Sequence, residues 1–275
     1  MNYRHAFHAG NFADVVKHLT LVAILLHLRR KDAPFVVIDT HAGRGAYDLK
    51  AEDAARTGEW MNGIGRLALL EGDGALAEYL KLARNKDIYP GSPLIAASLL
   101  RLQDRLIAIE KHPEETALLT SALGYFPRAK VEEDDGYRRL AALLPPAERR
   151  GVVLIDPPYE AADEFLAAAE ALRAGLKRFA TGIYLLWFPI KSKAQADAFA
   201  GEVLNAGAQK ALRIDIDLGA SPPTPDGKDR LRAAGLIVVN PPFGLAAEME
   251  ALLKRVAPLL SENAIAGVRW IAGAE

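Results

Sequence analysis

Six short apolar runs, rich in β-branched residues and separated by helical patterns, constrain this chain of 275 residues more than any other feature. They occupy residues 35–39, 106–110, 152–156, 182–188, 211–218 and 236–240. Strands that are almost continuously apolar are buried on both faces, which is typical of a parallel sheet covered by helices. The sequence therefore predicts an α/β fold. The composition, 51% hydrophobic and 25% charged, is that of an ordinary globular protein.

Polar residues end four of these runs, namely Asp39, Glu110, Asp156 and Asn240. Ligands of open α/β sheets bind outside the carboxyl ends of the strands. These strand ends are therefore where we expect the chemistry.

The spacing of the strand ends indicates an insertion. Asp39 and Glu110 are 71 residues apart, whereas a strand and helix repeat elsewhere in the chain takes 21 to 25 residues. About 45 residues are therefore added after the first strand. We predict one domain over residues 1–275, with a small inserted helical subdomain at 51–90 beside the ligand edge.

Charge is unevenly distributed, although the formal net charge is only -1. Residues 1–31 carry Arg4, Lys17, Arg29, Arg30 and Lys31 against one acid, a balance of +4. With its aromatic rings and histidines, this segment could bind a nucleic acid. It could also be a solvated helix with a basic C-terminal end, and charge alone favours that interpretation.

The chain contains no cysteine, which excludes disulfides, zinc fingers and thiol catalysis. Its longest apolar stretch is far shorter than the roughly 20 residues of a membrane span, and no leader pattern opens it. We expect a cytoplasmic enzyme with no membrane segment.

A glycine-marked turn, Asp-Thr-His-Ala-Gly-Arg-Gly at 39–45, follows the first strand and would let the backbone approach a cofactor. The third glycine of a dinucleotide fingerprint is replaced by Asp48, which disfavours a nicotinamide cofactor. Glu110 could accept two hydrogen bonds from a ribose diol. Asp135 and Gly136 could hold an adenine amine, although four successive acids can also form a solvated turn.

The most specific motif is Asp-Pro-Pro-Tyr at 156–159, which follows a strand and matches the signature of methyltransferases that act on planar nitrogens. Asp156 and the carbonyl of Pro157 could accept the two protons of an adenine N6, while proline removes competing donors. Tyr159 could stack on the base. The structural alternative is a rigid turn with Asp156 as the N-cap of a helix.

A second copy of this motif, Asn-Pro-Pro-Phe at 240–243, follows another strand. The motif alone cannot choose between the copies. Asp156 lies one strand and helix unit after Asp135, where a catalytic motif is expected, so we assign Asn240 to Phe243 a structural or rim role.

Three polar features elsewhere have structural explanations beside functional ones. Asn11 and Asp14 resemble a capping box at the start of a helix. The pair His5 and His8 could bind a metal, but no third ligand accompanies it, so we predict no metal site. Ser92 precedes a proline, which suggests an N-cap, although its hydroxyl would also face the ligand edge.

Taken together, the opening Tyr-Arg-His-x-Phe-His-Ala-Gly-Asn segment, Asp-Thr-His-Ala-Gly, Tyr-Pro-Gly-Ser-Pro and Asp-Pro-Pro-Tyr-Glu resemble the bacterial large-subunit rRNA adenine-N6 methyltransferase J family over nearly the whole chain. The resemblance implies a Rossmann-like class I methyltransferase fold. It also implies an enzyme that transfers a methyl group from S-adenosylmethionine to N6 of adenine 2030 in 23S rRNA. We also expect a monomer.

The resemblance assigns site residues position by position. Those implied to contact the cofactor are His18, His41, Ser92, Glu110, Asp135, Gly136 and Asp156. Asp156 would be the catalytic proton acceptor, Lys17 a second catalytic group, and Tyr3 and Tyr159 substrate-binding residues. The alternatives are methylation of DNA adenine or of a protein glutamine in the same pocket, or a non-catalytic accessory role in DNA uptake.

Overall fold

The fold is described by a computed structural model that covers residues 5–84, 87–219 and 231–274. Its strands are β1 (Val36–Asp39), β2 (Ala46–Asp48), β3 (Ile88–Pro90), β4 (Arg105–Glu110), β5 (Ala129–Glu133), β6 (Gly151–Ile155), β7 (Ile183–Pro189), β8 (Ala211–Asp217), β9 (Ala233–Val239) and β10 (Ile265–Ala272). Its α-helices are α1 (Phe12–Arg29), α2 (Glu52–Thr57), α3 (Gly74–Ala83), α4 (Ser92–Ser98), α5 (Pro113–Leu123), α6 (Gly136–Leu143), α7 (Glu164–Arg178), α8 (Lys193–Asn205) and α9 (Leu245–Leu260). Short 3₁₀ turns occur at His5–Phe7, Glu59–Asn62 and Ile64–Leu67.

The main sheet has the order β10-β8-β9-β7-β6-β1-β4-β5 in the described part of the chain. Parallel pairing joins β5, β4, β1, β6 and β7. Strand β9 is antiparallel to both of its neighbours, β7 and β8, and β10 is antiparallel to β8. Six strands therefore point in one direction, and their carboxyl ends form one edge of the sheet.

Both faces of this sheet are buried, which explains the continuous apolar runs. Successive side chains of a strand point to opposite faces. Val37 and Leu154 pack into a core with α1, α4 and α9, whereas Ile38 and Ile155 pack into a second core with α7 and α8. The predicted α/β class is confirmed.

The direction of the last predicted strand is where the sequence analysis was wrong. A fully apolar run such as β9 reports burial on both faces and carries no information on direction, so an antiparallel strand was taken for a parallel one. Edge strand β10 was missed, and edge strand β5 was implied only by the spacing before Asp135, because neither has a fully buried apolar run. Strand β9 is consequently not the last strand.

The segment after β1 departs from a simple strand and helix repeat. Antiparallel strands β2 and β3 close it at its base, and it contains α2, two 3₁₀ turns and α3. Helix α3 packs on α1, and its Leu76 and Tyr79 are fully buried in the same core as one face of the sheet. The segment is thus integrated into the main core, and a separate subdomain at 51–90 stays a prediction.

Helix α1 is the most buried helix in the described chain, with 15 of its 18 residues buried. Its N-cap is Asn11, whose side-chain oxygen accepts hydrogen bonds from the backbone N–H groups of Ala13 and Asp14. The predicted cap is confirmed. Asp14, however, accepts a hydrogen bond from the N–H of Gly10 and lies inside the protein beside Lys17.

Across the described ranges, every helix falls short of the length and apolarity needed to cross a bilayer.

The second Pro-Pro motif lies at the opposite edge from Asp156, because β9 runs against β6. Asn240 has a left-handed backbone with φ 53°. Its side-chain amide donates to the carbonyl oxygens of Ala180 and Gly182 at 2.9 and 2.8 Å. It therefore fastens the end of β9 to the turn before β7.

We predict that Asn240→Ala lowers the free energy of unfolding by about 1–3 kcal/mol, because it removes two hydrogen bonds and places alanine at a positive φ. Asn240→Gly removes the same bonds without the backbone strain and should lose about 1 kcal/mol less. Urea unfolding of both variants checks this. Equal stability of the alanine variant and the wild type would contradict the assigned role.

Candidate active site

A cleft of about 450 Å³ opens at the carboxyl ends of β1, β4 and β6. Its lining includes every residue that the sequence analysis assigned to the cofactor: His18, His41, Ser92, Glu110, Asp135, Gly136 and Asp156. Lys17 also lines it. Residues separated by more than a hundred positions therefore meet in one cavity of the size that small-ligand sites usually have.

Asp156 directly follows β6 and is the point at which the first helix meets the sheet edge. Its carboxylate Oδ2 accepts a hydrogen bond from Lys17 Nζ at 2.5 Å, and its side chain is 14% exposed. It caps no helix, since α7 begins at Glu164 with Asp163 as its N-cap residue. The structural alternative for Asp156 is therefore wrong.

Lys17 is itself held by a second carboxylate. Its Nζ lies 2.8 Å from Asp14 Oδ1, and Asp14 also accepts from His5 at 2.9 Å. Burial alone would raise the pKa of Asp14, but His5 and Lys17 hold it well below its usual value. Burial would lower the pKa of Lys17, yet Asp14 and Asp156 raise it. A buried ammonium bridging two carboxylates therefore stays charged.

Two histidines of the cleft are kept neutral. Burial lowers the pKa of His18 to about 3 and that of His41 to about 4. His18 Nδ1 is 2.8 Å from the hydroxyl of Tyr89, and His41 Nδ1 is 2.8 Å from the Thr40 hydroxyl, so each ring has a fixed orientation. Neither adds positive charge to the cleft at neutral pH.

Glu110 and Asp135 face the cleft from neighbouring strand ends. The carboxylate of Glu110 accepts from the N–H groups of Gly43 and His112 at 2.9 and 2.8 Å. Asp135 is the N-cap of α6 and also binds Lys111 Nζ at 2.9 Å. Gly136 permits close contact of two backbones, because a Cβ there would lie 1.9 Å from the Thr40 carbonyl oxygen.

Ser92 is not the N-cap that the sequence suggests, because Gly91 is the N-cap residue of α4. Its hydroxyl instead donates to Asp39 Oδ2 at 2.6 Å. Burial raises the pKa of Asp39 to about 7, against the lowering effect of that hydrogen bond. Asp39 and Ser92 thus form a buried polar pair beside Asp156.

A smaller recess of about 180 Å³ adjoins the cleft, and Asp156, Lys17 and Pro158 line both. Tyr159 and Trp187 line only the recess, with ring centroids 5.8 Å apart. The hydroxyl of Tyr159 donates to the Trp187 carbonyl oxygen at 2.7 Å. Tyr159 has φ 51°, a conformation that is rare outside glycine and that occurs at functional sites. Asp156 therefore stands at the wall between two cavities.

Of the other predicted groups, His5 lines both cavities and His8 lines the smaller recess. Tyr3 is outside the described residues. His5 and His8 bind different acids, Asp14 and Glu59 respectively. In the described residues, no group of three or more acidic or histidine side chains is arranged to hold a metal ion.

Sequence reasoning missed the place of Asp14 in the site. The available signal was its position three residues before Lys17 inside an apolar helix, because two buried opposite charges one turn apart must neutralise each other or a third group.

The donor set of the cleft fits S-adenosylmethionine. Glu110 has both oxygens oriented by backbone N–H groups at a strand end, where a ribose diol could bind. The cations that line it include Lys17 and Lys111, each paired with acids, while His18 and His41 are neutral, so a positive sulfonium would meet little repulsion.

Six strands of one direction, with β9 reversed between β7 and β8 and a carboxylate-lined cleft at the carboxyl edge, define a Rossmann-like class I methyltransferase fold. Comparison with known proteins agrees with this class. The family model described as ribosomal RNA large subunit methyltransferase D, RlmJ, matches residues 32–272. The chain belongs to this family.

Relatives match it over nearly their full lengths. A protein named ribosomal RNA large subunit methyltransferase J from Escherichia coli K12 is 42% identical, covering 92% of this chain and 91% of that protein. A protein of the same name from Haemophilus influenzae is 38% identical, covering 98% and 99%. A crystal structure of a Legionella pneumophila protein superposes with a TM-score of 0.86 at 32% identity, covering 98% and 99%.

We predict that burial of neutral His18 makes the protein less stable in acid. Its unfolded pKa is near 6.5 and its folded pKa about 3, so below pH 6.5 the unfolded chain binds a proton that the folded chain excludes. Stability should therefore fall between pH 6.5 and 4 by about 1.4 kcal/mol per pH unit for this residue. His18→Gln should remove that part of the slope in urea titrations, and an unchanged slope would contradict the prediction.

Proposed function

We propose that this protein transfers a methyl group from S-adenosylmethionine to the N6 amine of one adenine, adenine 2030, in 23S rRNA. The names of the relatives support the rRNA substrate. The observation that carries the proposal is the position of Asp156 between a nucleoside-sized cleft and a smaller aromatic recess. A residue in that wall can contact both a bound donor and a bound acceptor.

The larger cleft is the proposed cofactor site. Bound there, the cofactor supplies an activated methyl group. Glu110 would accept hydrogen bonds from the ribose, Asp135 and Gly136 would border the adenine, and His18, His41 and Ser92 would line the rest of the site, as their places in the cleft support. The hydrogen bonds that already fix these side chains pre-organise the site.

The smaller recess is the proposed site of the target base. Tyr159 and Trp187 offer apolar rings for stacking, and Pro158 adds no backbone N–H donor to a pocket that has to accept the protons of the amine. Since N6 in a base-paired helix cannot reach this wall, the adenine has to leave its stack. We also assign Tyr3 to substrate binding, from the family resemblance.

Asp156 is the proposed catalytic residue. Adenine N6 delocalises its lone pair into the ring, and positive charge develops on it during methyl transfer. A fixed carboxylate stabilises that charge and accepts the departing proton. Lys17 occupies Oδ2, which leaves Oδ1 for the amine and holds the carboxylate in one orientation. We propose that Lys17 acts catalytically through this contact.

We also propose that the protein works in the cytoplasm as a monomer.

We predict that Asp156→Ala reduces methylation of a 23S rRNA transcript by about 10²–10⁴-fold, because both charge stabilisation and proton acceptance are lost. Methyl incorporation with mass mapping of the modified nucleotide measures this. The matched control is Asn240→Ala, which alters the same motif at the opposite edge and should keep most of the activity below its melting temperature. Near-normal turnover by a folded Asp156→Ala protein would reject the mechanism.

We predict that Tyr159→Ala raises the KM for rRNA by about 5- to 100-fold through loss of base stacking worth roughly 1–3 kcal/mol. Tyr159→Phe keeps the ring and removes only the hydrogen bond to Trp187, so it should remain within a few-fold of the wild type. If methylation were found on DNA or on a glutamine side chain and absent from rRNA, the substrate would be wrong while the methyltransferase assignment stood.

A further inference from the structure

The edge of the sheet opposite the active site is strongly basic. Six segments lead from helices into β1, β4, β5, β6, β7 and β8, and we call them together the basic edge. They are residues 29–35, 99–105, 124–130, 144–150, 176–182 and 206–210. They hold twelve Lys and Arg against three acids, a formal balance of +9 in a protein of net charge -1. The rest of the chain therefore sums to -10.

Most of these cations are not used by the fold. Arg101, Arg105 and Lys130 make ion pairs with nearby acids, and Arg150 donates to two carbonyl oxygens. The other eight are exposed and make no ion pair with any described residue. They are Arg29, Arg30, Lys31, Arg128, Arg149, Lys177, Arg178 and Lys210.

The basic edge is continuous. The strand starts are in register, with Val36 paired to both Arg105 and Gly151, and Val152 paired to Ile183. Neighbouring strands are about 4.8 Å apart, so the seven strands from β5 to β8 carry this charge along roughly 29 Å. A row of that length can meet several phosphates of one nucleic acid at once.

Helix dipoles account for only part of the pattern. Cations are favoured in the last turn of a helix, where they compensate the carbonyl end of the dipole. Arg101 and Arg150 do bind such carbonyl oxygens near the end of α1. Lys31, Arg128 and Lys210, however, lie beyond the helix ends, in the segments that enter the strands.

Other surfaces are poorly suited to RNA phosphates. The insertion at 51–90 contains seven acids and five bases, so its balance is -2. The cations that give residues 1–31 a net charge of +4 do not form one surface. Lys17 is buried in the active site, whereas residues 29–31 belong to the basic edge. The active-site edge presents Glu110, Asp135 and Asp156.

We propose that the basic edge binds the phosphate backbone of the substrate RNA at a distance from the target adenine. The proposal rests on the proposed function for the identity of the RNA. Phosphate contacts give affinity without reading sequence, and they position a large RNA so that one adenine can reach the recess.

Exposed rings accompany the charge. Tyr125, in the segment before β5, is 94% exposed, and Phe243, just after β9 at the same edge, is 79% exposed. Aromatic faces beside cations are typical of surfaces that contact unpaired bases. The second Pro-Pro motif thus has a place on the basic edge although it lies far from Asp156.

The test compares two triple variants. Lys31→Glu, Arg128→Glu and Lys177→Glu together reverse three exposed, unpaired cations of the basic edge. The control makes the same charge change away from the basic edge. It combines Lys81→Glu in α3, Arg84→Glu directly after α3, and Lys254→Glu in α9. We measure the binding of a 23S rRNA transcript to filters at several salt concentrations, and the melting temperature of each variant. We also measure methylation of the transcript and of a short hairpin that contains the target adenine.

We expect the edge variant to bind the transcript on the order of 10- to 100-fold more weakly, with a salt slope shallower by about 2–3, because three phosphate contacts are lost. The control should lose much less, and the hairpin should be methylated at the wild-type kcat by both variants. The milder set Lys31→Gln, Arg128→Gln and Lys177→Gln should give an intermediate loss if the glutamate set fails to fold.

Unchanged transcript affinity, an equal loss in the control, or an equal loss on the hairpin would each overturn the proposal. Binding of the wild type to phosphatidylglycerol vesicles, lost in the edge variant while rRNA binding persists, would replace RNA by a membrane surface. Failure of the proposed function has a different signature, because binding to rRNA would then still depend on the basic edge while no methyl group was transferred.

Discussion

Burial of both faces of the sheet is the constraint from which the rest of the structure follows. When helices cover each face, charged side chains of the strands and of the segments that flank them can reach solvent or ligand only at the two edges. Carboxylates such as Glu110 and Asp156 collect at the carboxyl edge, and cations such as Arg128 and Lys177 collect at the other. Chemistry and the proposed RNA attachment are thereby separated by the height of the sheet.

The active-site edge depends on the ion pair between Lys17 and Asp156, which joins helix α1 to the sheet. Lys17 comes from a helix that precedes the sheet in the chain, and it bridges Asp14 of that helix to Asp156, which directly follows β6. Removing one partner from such a buried group leaves an uncompensated charge, which costs more than the pair itself contributes. The same contact that orients the catalytic carboxylate therefore fastens α1 to the sheet edge.

Much of this arrangement could be predicted from the sequence, for reasons that differ between residues. Apolar runs report burial, so β1, β4 and β6 were predicted to within one residue at each end, and the strand-end position of Asp156 placed it at the ligand edge. Direction is set by tertiary pairing, which the run of β9 does not encode, so its reversal was missed. The role of Asp14 was missed because a capping position and a buried ion pair look identical until the fold decides which way the side chain points.

The near-complete burial of α1 also bears on how the chain is made. This helix leaves the ribosome early, yet its packing partners include α9 near the end of the chain, and Asp156 lies 139 residues after Lys17. During synthesis the nascent chain therefore carries an apolar helix whose internal ammonium group still lacks its second carboxylate. Such exposed apolar surface favours premature association, so more than half of the protein must emerge before its first helix is protected.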